Sequence, residues 1–445
     1  MAGYYTSNLI DIDINDIISN TNYAKDFTYE FILHTPYRDI TLDQIHSYET
    51  LQDYNNNVGD YNLLTFNVGM GTYIKGIYPY RDNLTCTILK TFKTDGLSSQ
   101  SAEYKLVIVN EDGNSESSSH YKNMTEDQLN ENELKKIEAQ VYLIELEAIR
   151  EGYVDGNYKN VTVQELMGWS YAKVKDELEV HGNPLELRID IVEPDNDTRY
   201  NNLIIPTGVM LQDLPIFLQN DNSYGVYNGG CGAYLQKYNS KPTMFIYPLY
   251  TTERYEKCDF KKLVIYNPGN LQLNTVENTW LREGNLIKIV AGSGVKAIDK
   301  GSTNIMDQGE ALVSSRPEQI FNRASSITDS EVTVDASTQL NVSTLKSRRD
   351  GMSKMKYVGN ESNMFRQRTQ IMKNSMATYQ IPWHFSYPEL IYPGMPVCYI
   401  YEDSTKGTVR QYGSVQMLVT KYAPAQDMLS STLIITVGSY NVFNS

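Results

Sequence analysis

Cysteine, histidine and tryptophan are scarce in this 445-residue chain, with four, five and three residues respectively. The cysteines, Cys86, Cys231, Cys258 and Cys398, are scattered without a CxxC or any other close pair. That is too sparse for a disulfide framework and has no zinc spacing, so reduced, buried thiols made in a cytosol are expected. His34, His46, His120, His181 and His384 lie far apart, with no HExxH or His-x-His pair. No run approaches the roughly 18 apolar residues needed to cross a bilayer. Met1-Ala2-Gly3-Tyr4-Tyr5 has neither the basic nor the apolar region of a secretion signal. Without such a signal, Asn-x-Ser/Thr triplets such as Asn83-Leu84-Thr85 and Asn341-Val342-Ser343 carry no meaning. Neither a GxSxG elbow nor a phosphate loop is present. Gly225 to Gly232 and Ala291 to Gly294 are Gly-rich but lack the Lys-Ser/Thr pair, so they read as turns.

Positive charge is also in deficit. Lys and Arg total 39 against 54 Asp and Glu, giving a net charge of −15. A chain of that sign repels phosphate backbones unless a basic patch is locally concentrated. The dense basic residues are Lys346, Arg348, Arg349, Lys354, Lys356, Arg366 and Arg368. They are expected to form a solvated or inter-subunit face. Asp11-Ile12-Asp13-Ile14-Asn15 begins like a calcium loop, but Asp16 stands where glycine is needed and Asn22 where a bidentate Glu belongs. It reads as a plain acidic segment. The sequence thus nominates no catalytic, cofactor-binding or metal-binding residue, and no cofactor.

Tyrosine is abundant, with 35 residues against 11 Phe. A tyrosine packs its ring and still hydrogen-bonds, which suits sheets and interfaces. The tyrosine-rich sheets are accordingly read as assembly surfaces. Ile-Tyr-Pro occurs at Ile77-Tyr78-Pro79, Ile246-Tyr247-Pro248 and Ile391-Tyr392-Pro393. Strands favour Ile and Tyr, and Pro is confined to strand margins, so the repeat predicts similar strand margins in two or three β-modules.

Period-2 patterning predicts strands over 25–35, 61–68, 72–78 with a bulge at Gly76, 84–92 and 104–109. Further strands are expected at 185–192, 203–206, 224–238, 243–250 and 262–266, with a loop at 211–219 and a hairpin joining 286–290 to 295–298. Capping boxes at Thr125 to Gln128 and Thr162 to Glu165 predict helices reaching Arg150 and about Glu179. In the second helix, Leu166, Trp169, Ala172, Val174 and Leu178 are expected to dock onto a sheet. From Gly301 to Asn374 the chain is polar, with a partial helix near 363–373, and this extension is expected to order only against a partner. Strands return at 378, 395–401, 414–422 and 432–440 and are expected to close a sheet begun earlier. The expected fold class is mainly β (α+β): two tube-type antiparallel β-barrel modules, a two-helix insertion and a long polar extension. The expected domains are 1–115, 116–183, 184–300, 301–374 and 375–445.

Thr50 to Tyr54, Ile77 to Leu84, Leu203 to Pro206 and Tyr224 to Tyr250 resemble contractile-tailed bacteriophage virion proteins of the baseplate-hub or tail-hub type. The resemblance implies a non-enzymatic adaptor whose paired barrels form a homo-oligomeric, trimeric ring joining the tail tube to the central spike. It also implies tube, spike and wedge proteins as partners, DNA sliding through an acidic lumen without specific binding, and no membrane span. Its place would be the virion tail or baseplate, after assembly in the bacterial host cytoplasm. Two other readings are a tail-associated cell-wall hydrolase and a receptor- or carbohydrate-binding β protein. The hydrolase reading rests on Glu30 and Asp39, spaced as in phage-type lysozymes. Against it, Ile45 stands where that pattern has Thr, and Glu30 lies inside a strand-like run.

Overall fold

The computed structural model describes residues 27–55, 59–92, 100–111, 136–145, 152–180, 188–221, 223–238, 241–268, 280–291, 294–298, 363–403, 407–424 and 428–438, together with six short strands between 302 and 356. The fold is mainly β, as expected, and its main sheet has 15 strands. The strand pairings close no barrel among the described residues. The sheet is also not purely antiparallel.

The first part of the sheet comprises β1 (Phe27–His34), β2 (Asp39–Thr41), β3 (Gln44–Asp53), β4 (Tyr61–Gly69), β5 (Thr85–Phe92), β6 (Gln100–Glu111) and β7 (Lys136–Glu145). Their spatial order is β2-β1-β5-β6-β7-β4-β3, antiparallel throughout. Alternate residues (Phe31, Leu33; Leu64, Phe66; Cys86, Ile88; Val141, Leu143) enter one core. Strand β7 replaces the helix expected up to Arg150. Ala139, Val141 and Leu143 are buried at period 2, and pairing with β4 and β6 on both edges outweighs the looser helical spacing. The segment 72–78 is likewise not a strand. Met70–Asn83 forms helical turns, with Tyr73 and Ile77 buried four residues apart on one side.

Next come β8 (Tyr153–Tyr158), α1 (Val163–Val180), β9 (Arg188–Ile191), β10 (Leu203–Met210), α2 (Leu214–Asn220), β11 (Cys231–Tyr238) and β12 (Lys241–Pro248). The capping box of α1 is formed. Glu165 N donates to Thr162 Oγ1 at 3.2 Å, and Thr162 N donates to Glu165 Oε2 at 3.0 Å. The buried face of α1 is Val163, Leu166, Met167, Ser170 and Tyr171, while Trp169 and Ala172 face outward instead of docking. The stretch from Leu211, expected as a loop, is a 3₁₀ turn leading into α2. In the three-stranded sheet β11-β12-β9, strands β11 and β12 are buried on both sides, while β9 is an exposed edge. Cys231, Ala233, Leu235, Met244 and Ile246 meet the helices, and Tyr234, Tyr238, Phe245 and Tyr247 meet the remainder of the main sheet.

That remainder comprises β13 (Lys262–Asn267), β14 (Trp280–Glu283), β15 (Leu286–Val290) and β16 (Lys296–Ile298), followed by β23 (Ala377–His384), β24 (Pro396–Asp403), β25 (Gly407–Ala423) and β26 (Met428–Gly438). The short turn α3 (Arg254–Lys257) precedes β13. Between β16 and β23 run β17 (Ser302–Asn304), β18 (Glu310–Ser314), β19 (Ile320–Asn322), β20 (Thr333–Asp335), β21 (Leu340–Asn341) and β22 (Met352–Lys356), then α4 (Met364–Ser375). These short strands make two antiparallel sheets, β17-β20-β21 and β19-β18-β22. The expected hairpin between 286–290 and 295–298 is not formed. Instead β15 lies beside β13 and β14, while β16 pairs with β23 and so brings the two ends of the polar segment together.

Strand β25 joins the two parts of the sheet. One of its edges pairs with β24 over 407–414 and then with β3 over 417–422. Its other edge pairs with β26 from 412 to 423, across a bulge at Gln416. Gly413 makes this close approach possible, since a Cβ there would lie 1.8 Å from Thr436 O.

The Ile-Tyr-Pro copies are not equivalent. The first is helical, the second ends β12, and the third lies between a 3₁₀ turn and β24. What they share is a buried isoleucine. The tyrosines also depart from expectation, because 14 of those among the described residues are buried within the chain.

Gly413→Ala is expected to destabilise by about 2 kcal/mol or more, as overpacking against backbone does. Gly168→Ala, in α1 with nothing within 4 Å of the added carbon, is expected to stabilise by about 0.5–1 kcal/mol. Denaturant midpoints of the two variants check both signs.

Candidate functional site

The inward register positions of β3, β4 and β5 are apolar along most of the first core and become polar toward one end. On β3, Tyr48 is followed by Thr50 and Gln52; on β4, Asn62 precedes Leu64; on β5, Lys90 follows Cys86 and Ile88. Such residues are stable inside only if paired. Tyr48 Oη and Thr50 Oγ1 both donate to Asn62 Oδ1, at 3.1 and 2.9 Å. Gln52 Nε2 donates to both carboxylate oxygens of Asp60 at 2.9 Å. Lys90, only 4% exposed at its side chain, pairs with Glu389 Oε1 at 2.6 Å and lies over the rings of Tyr29 and Tyr387.

These groups line a cavity of about 350 Å³ where the two parts of the main sheet meet β11. Each wall contributes cross-links. Tyr234 Oη of β11 donates to Asp60 Oδ1 at 2.8 Å, across 174 residues of sequence. Lys237 Nζ donates to Ser101 O at 2.9 Å, and Gln236 Nε2 to Ile391 O at 3.1 Å. Nearby, Tyr247 Oη donates to Tyr54 O at 2.8 Å. Tyr54 N donates to Gln416 O at the β25 bulge, and Gln416 Nε2 and Ser414 Oγ both donate to Leu249 O. Burial pushes the Asp60 carboxyl up to about 6, and the Tyr234 and Gln52 hydrogen bonds oppose that shift. The arrangement holds three parts of one chain in fixed relation. It brings no nucleophile and base together.

The candidate acid, metal-ligand and basic residues lie elsewhere. Glu30 is exposed on β1 opposite Leu89, whereas Asp39 pairs with His34 and accepts a 2.7 Å hydrogen bond from its Nδ1. Glu30 and His34 are four strand positions apart, about 13 Å, so the two carboxylates do not flank a common bond. Among the described residues, no cluster of His, Cys, Asp and Glu is arranged to hold a metal. Cys86, Cys231 and Cys398 are buried free thiols, as expected, and burial pushes Cys86 and Cys398 up to about 12. The Asp11 to Asn15 segment, His120, His181 and the Lys346 to Arg349 group lie outside the described residues. Arg366 and Arg368 bond within the chain, to Asn220 O and Asn228 Oδ1.

The Gly225 to Gly232 turn seats α4. A Cβ on Gly225, at φ +135°, would lie 2.2 Å from Phe365, and one on Gly230 would lie 2.7 Å from Thr369. Asn363, buried as the N-cap of α4, accepts from Phe365 N and donates to Gln219 O and Asp221 O. No described helix is long and apolar enough to cross a membrane.

No protein-family model and no curated protein matches the chain. The solved structures similar to this chain include two tail proteins and a secretion-system component. The tail protein from Neisseria meningitidis MC58 is 10% identical, at a TM-score of 0.44, over 92% of this chain and 96% of that one. The 43 kDa tail protein of prophage MuSo2 from Shewanella oneidensis is 8% identical, at a TM-score of 0.43, over 92% and 98%. The E. coli c3393 protein is 10% identical, at a TM-score of 0.38, over 92% and 77%. It is described as a component of the type VI secretion system with structural similarity to T4 bacteriophage tail proteins gp27 and gp5.

Asp60 sets a pH dependence. Its raised carboxyl favours the folded state fully below the ordinary Asp range near 3.8, and that contribution is lost as pH rises through about 6. Asp60→Asn is therefore expected to stabilise at pH 7.5 by on the order of 1 kcal/mol, with the gain shrinking toward pH 4.5. Paired melts of both proteins across that range check the difference.

Proposed function

We propose that this chain is a structural, non-enzymatic subunit of a bacteriophage tail, a hub protein that assembles with its own copies into a ring between tail tube and central spike. The observation that carries the reading is the sharing of β25. A single 17-residue strand hydrogen-bonds to β24 and β26 in one β-module and to β3 in the other. A ring subunit that transmits axial load must keep its modules from rotating against each other, and a shared strand does so through backbone hydrogen bonds. The polar, tyrosine-lined junction around Asp60 and Lys90 reinforces the same alignment.

In this reading residues 1–115 together with β7 build one module, 184–300 and 375–445 the other, the rest of 116–183 the insertion, and 301–374 faces tube, spike or wedge partners. A trimer of two-module subunits presents six modules to a hexameric tube. The net charge of −15 suits a lumen through which DNA passes without adhering. The protein would be assembled in the host cytoplasm and reside in the virion tail.

Light scattering coupled to size exclusion, with imaging of the same fractions, tests this reading. The expected result is a closed ring whose mass is three times 50.8 kDa. A 50.8 kDa monomer that forms no ring at any concentration overturns it.

A further inference from the structure

The cavity described above differs in charge from the rest of the molecule. Lys90, Lys237, Lys261 and Arg282 line it against two carboxylates, Asp60 and Glu389, so a chain of net charge −15 turns a cationic cavity to the junction. Glu389 is engaged by Lys90. Asp60 is held at the Tyr234 side of β11 by neutral donors. Lys261 belongs to the Tyr238 side, with its Nζ 4.8 Å from the Tyr238 ring centre. Tyr234 and Tyr238 are four positions apart on one strand, about 13 Å, so Asp60 does not neutralise Lys261.

Lys237, Lys261 and Arg282 form no ion pair among the described residues. Lys237 reaches Ser101 O, and Arg282 Nε reaches Gly284 O at 3.2 Å. Among the described residues the Lys261 ammonium meets only the faces of Tyr238 and Phe260, although the residue is 9% exposed. Burial, and next the like charge of Arg282, pull the Lys261 ammonium below its ordinary range. Buried ammonium groups are stable only when a counter-charge or acceptors complete their shell. The backbone holds Lys261 in place, because its carbonyl accepts from Tyr392 Oη at 2.8 Å.

We infer that the Lys261 and Arg282 side of this cavity is a binding site for a small oxyanion, the phosphate or carboxylate group of a ligand from outside the chain. An oxyanion there would accept from Lys261 Nζ and from the Arg282 guanidinium, with Lys237 as a third cation lining the cavity. Phosphate and carboxylate share this recognition chemistry, and Arg282 offers the planar fork that fits either. The inference does not depend on the tail-hub reading, because it uses only the contents of the cavity.

The test follows melting temperature while inorganic phosphate, or in a parallel series acetate, replaces chloride at constant ionic strength, with the whole chain as protein. A saturable rise above the chloride baseline is expected. Phosphate acting alone assigns the site to a dianionic group, and an equal rise with acetate assigns it to a carboxylate. Lys261→Met and Arg282→Gln are each expected to weaken the response about tenfold or more, the scale of one charge-assisted hydrogen bond. Arg282 is exposed, so its variant keeps the test valid even if Lys261→Met impairs folding. No rise above chloride with either anion, or an unchanged rise in Arg282→Gln, overturns the proposal.

Discussion

The structure depends on one strand belonging to two β-modules. Along β25 the neighbour on one edge changes from β24 to β3 at the Gln416 bulge, while β26 accompanies the strand past the change. A bulge leaves one residue unpaired in the ladder, and its backbone needs another partner. Here Gln416 O is taken by Tyr54 N, the first residue beyond β3, and the Gln416 side chain reaches Leu249 O beyond β12. The irregularity in the ladder is thus the point at which three segments distant in sequence are tied together.

The preference for tyrosine over phenylalanine follows from this arrangement. Buried rings at Tyr54, Tyr234, Tyr247 and Tyr392 fill the core between modules, and each hydroxyl crosses or flanks the junction to a named acceptor. A phenylalanine would pack as well and remove those hydrogen bonds, at a cost of about 0.5–1.5 kcal/mol for each one. The abundant tyrosines therefore act first as internal fastenings. Among the described residues, Tyr37 and Tyr153, at 80% and 53% exposed, are two of the large aromatics left for outside contacts.

Much of the β content was legible in the sequence, because half-buried strands carry period-2 patterning: β1, β4, β5, β12, β13 and β24 lie where the alternation puts them. The α1 capping box was legible because it is local chemistry confined to Thr162 and Glu165. Strand β7 departs from the helical expectation because Leu134, Ile137, Val141 and Leu146 also satisfy helical spacing, and only its two neighbours decide between the periods. The junction was not legible. Asp60 is an unremarked residue between β3 and β4 until Tyr234 approaches it, and nothing local announces that β25 changes partner. The usable signal was weaker: polar residues at inward strand phase, Gln52, Asn62 and Lys90, mark the place where the apolar core gives way to a cross-linked seam.

Native-state hydrogen exchange along β25 tests the shared strand most directly, since protection free energies show which amides open together. If β25 is one cooperative element of both modules, amides in its 407–414 and 417–422 halves share a single, high opening free energy. Opening of the 417–422 half with β3 while the 407–414 half stays protected would show two separable modules that merely touch, and would contradict the account.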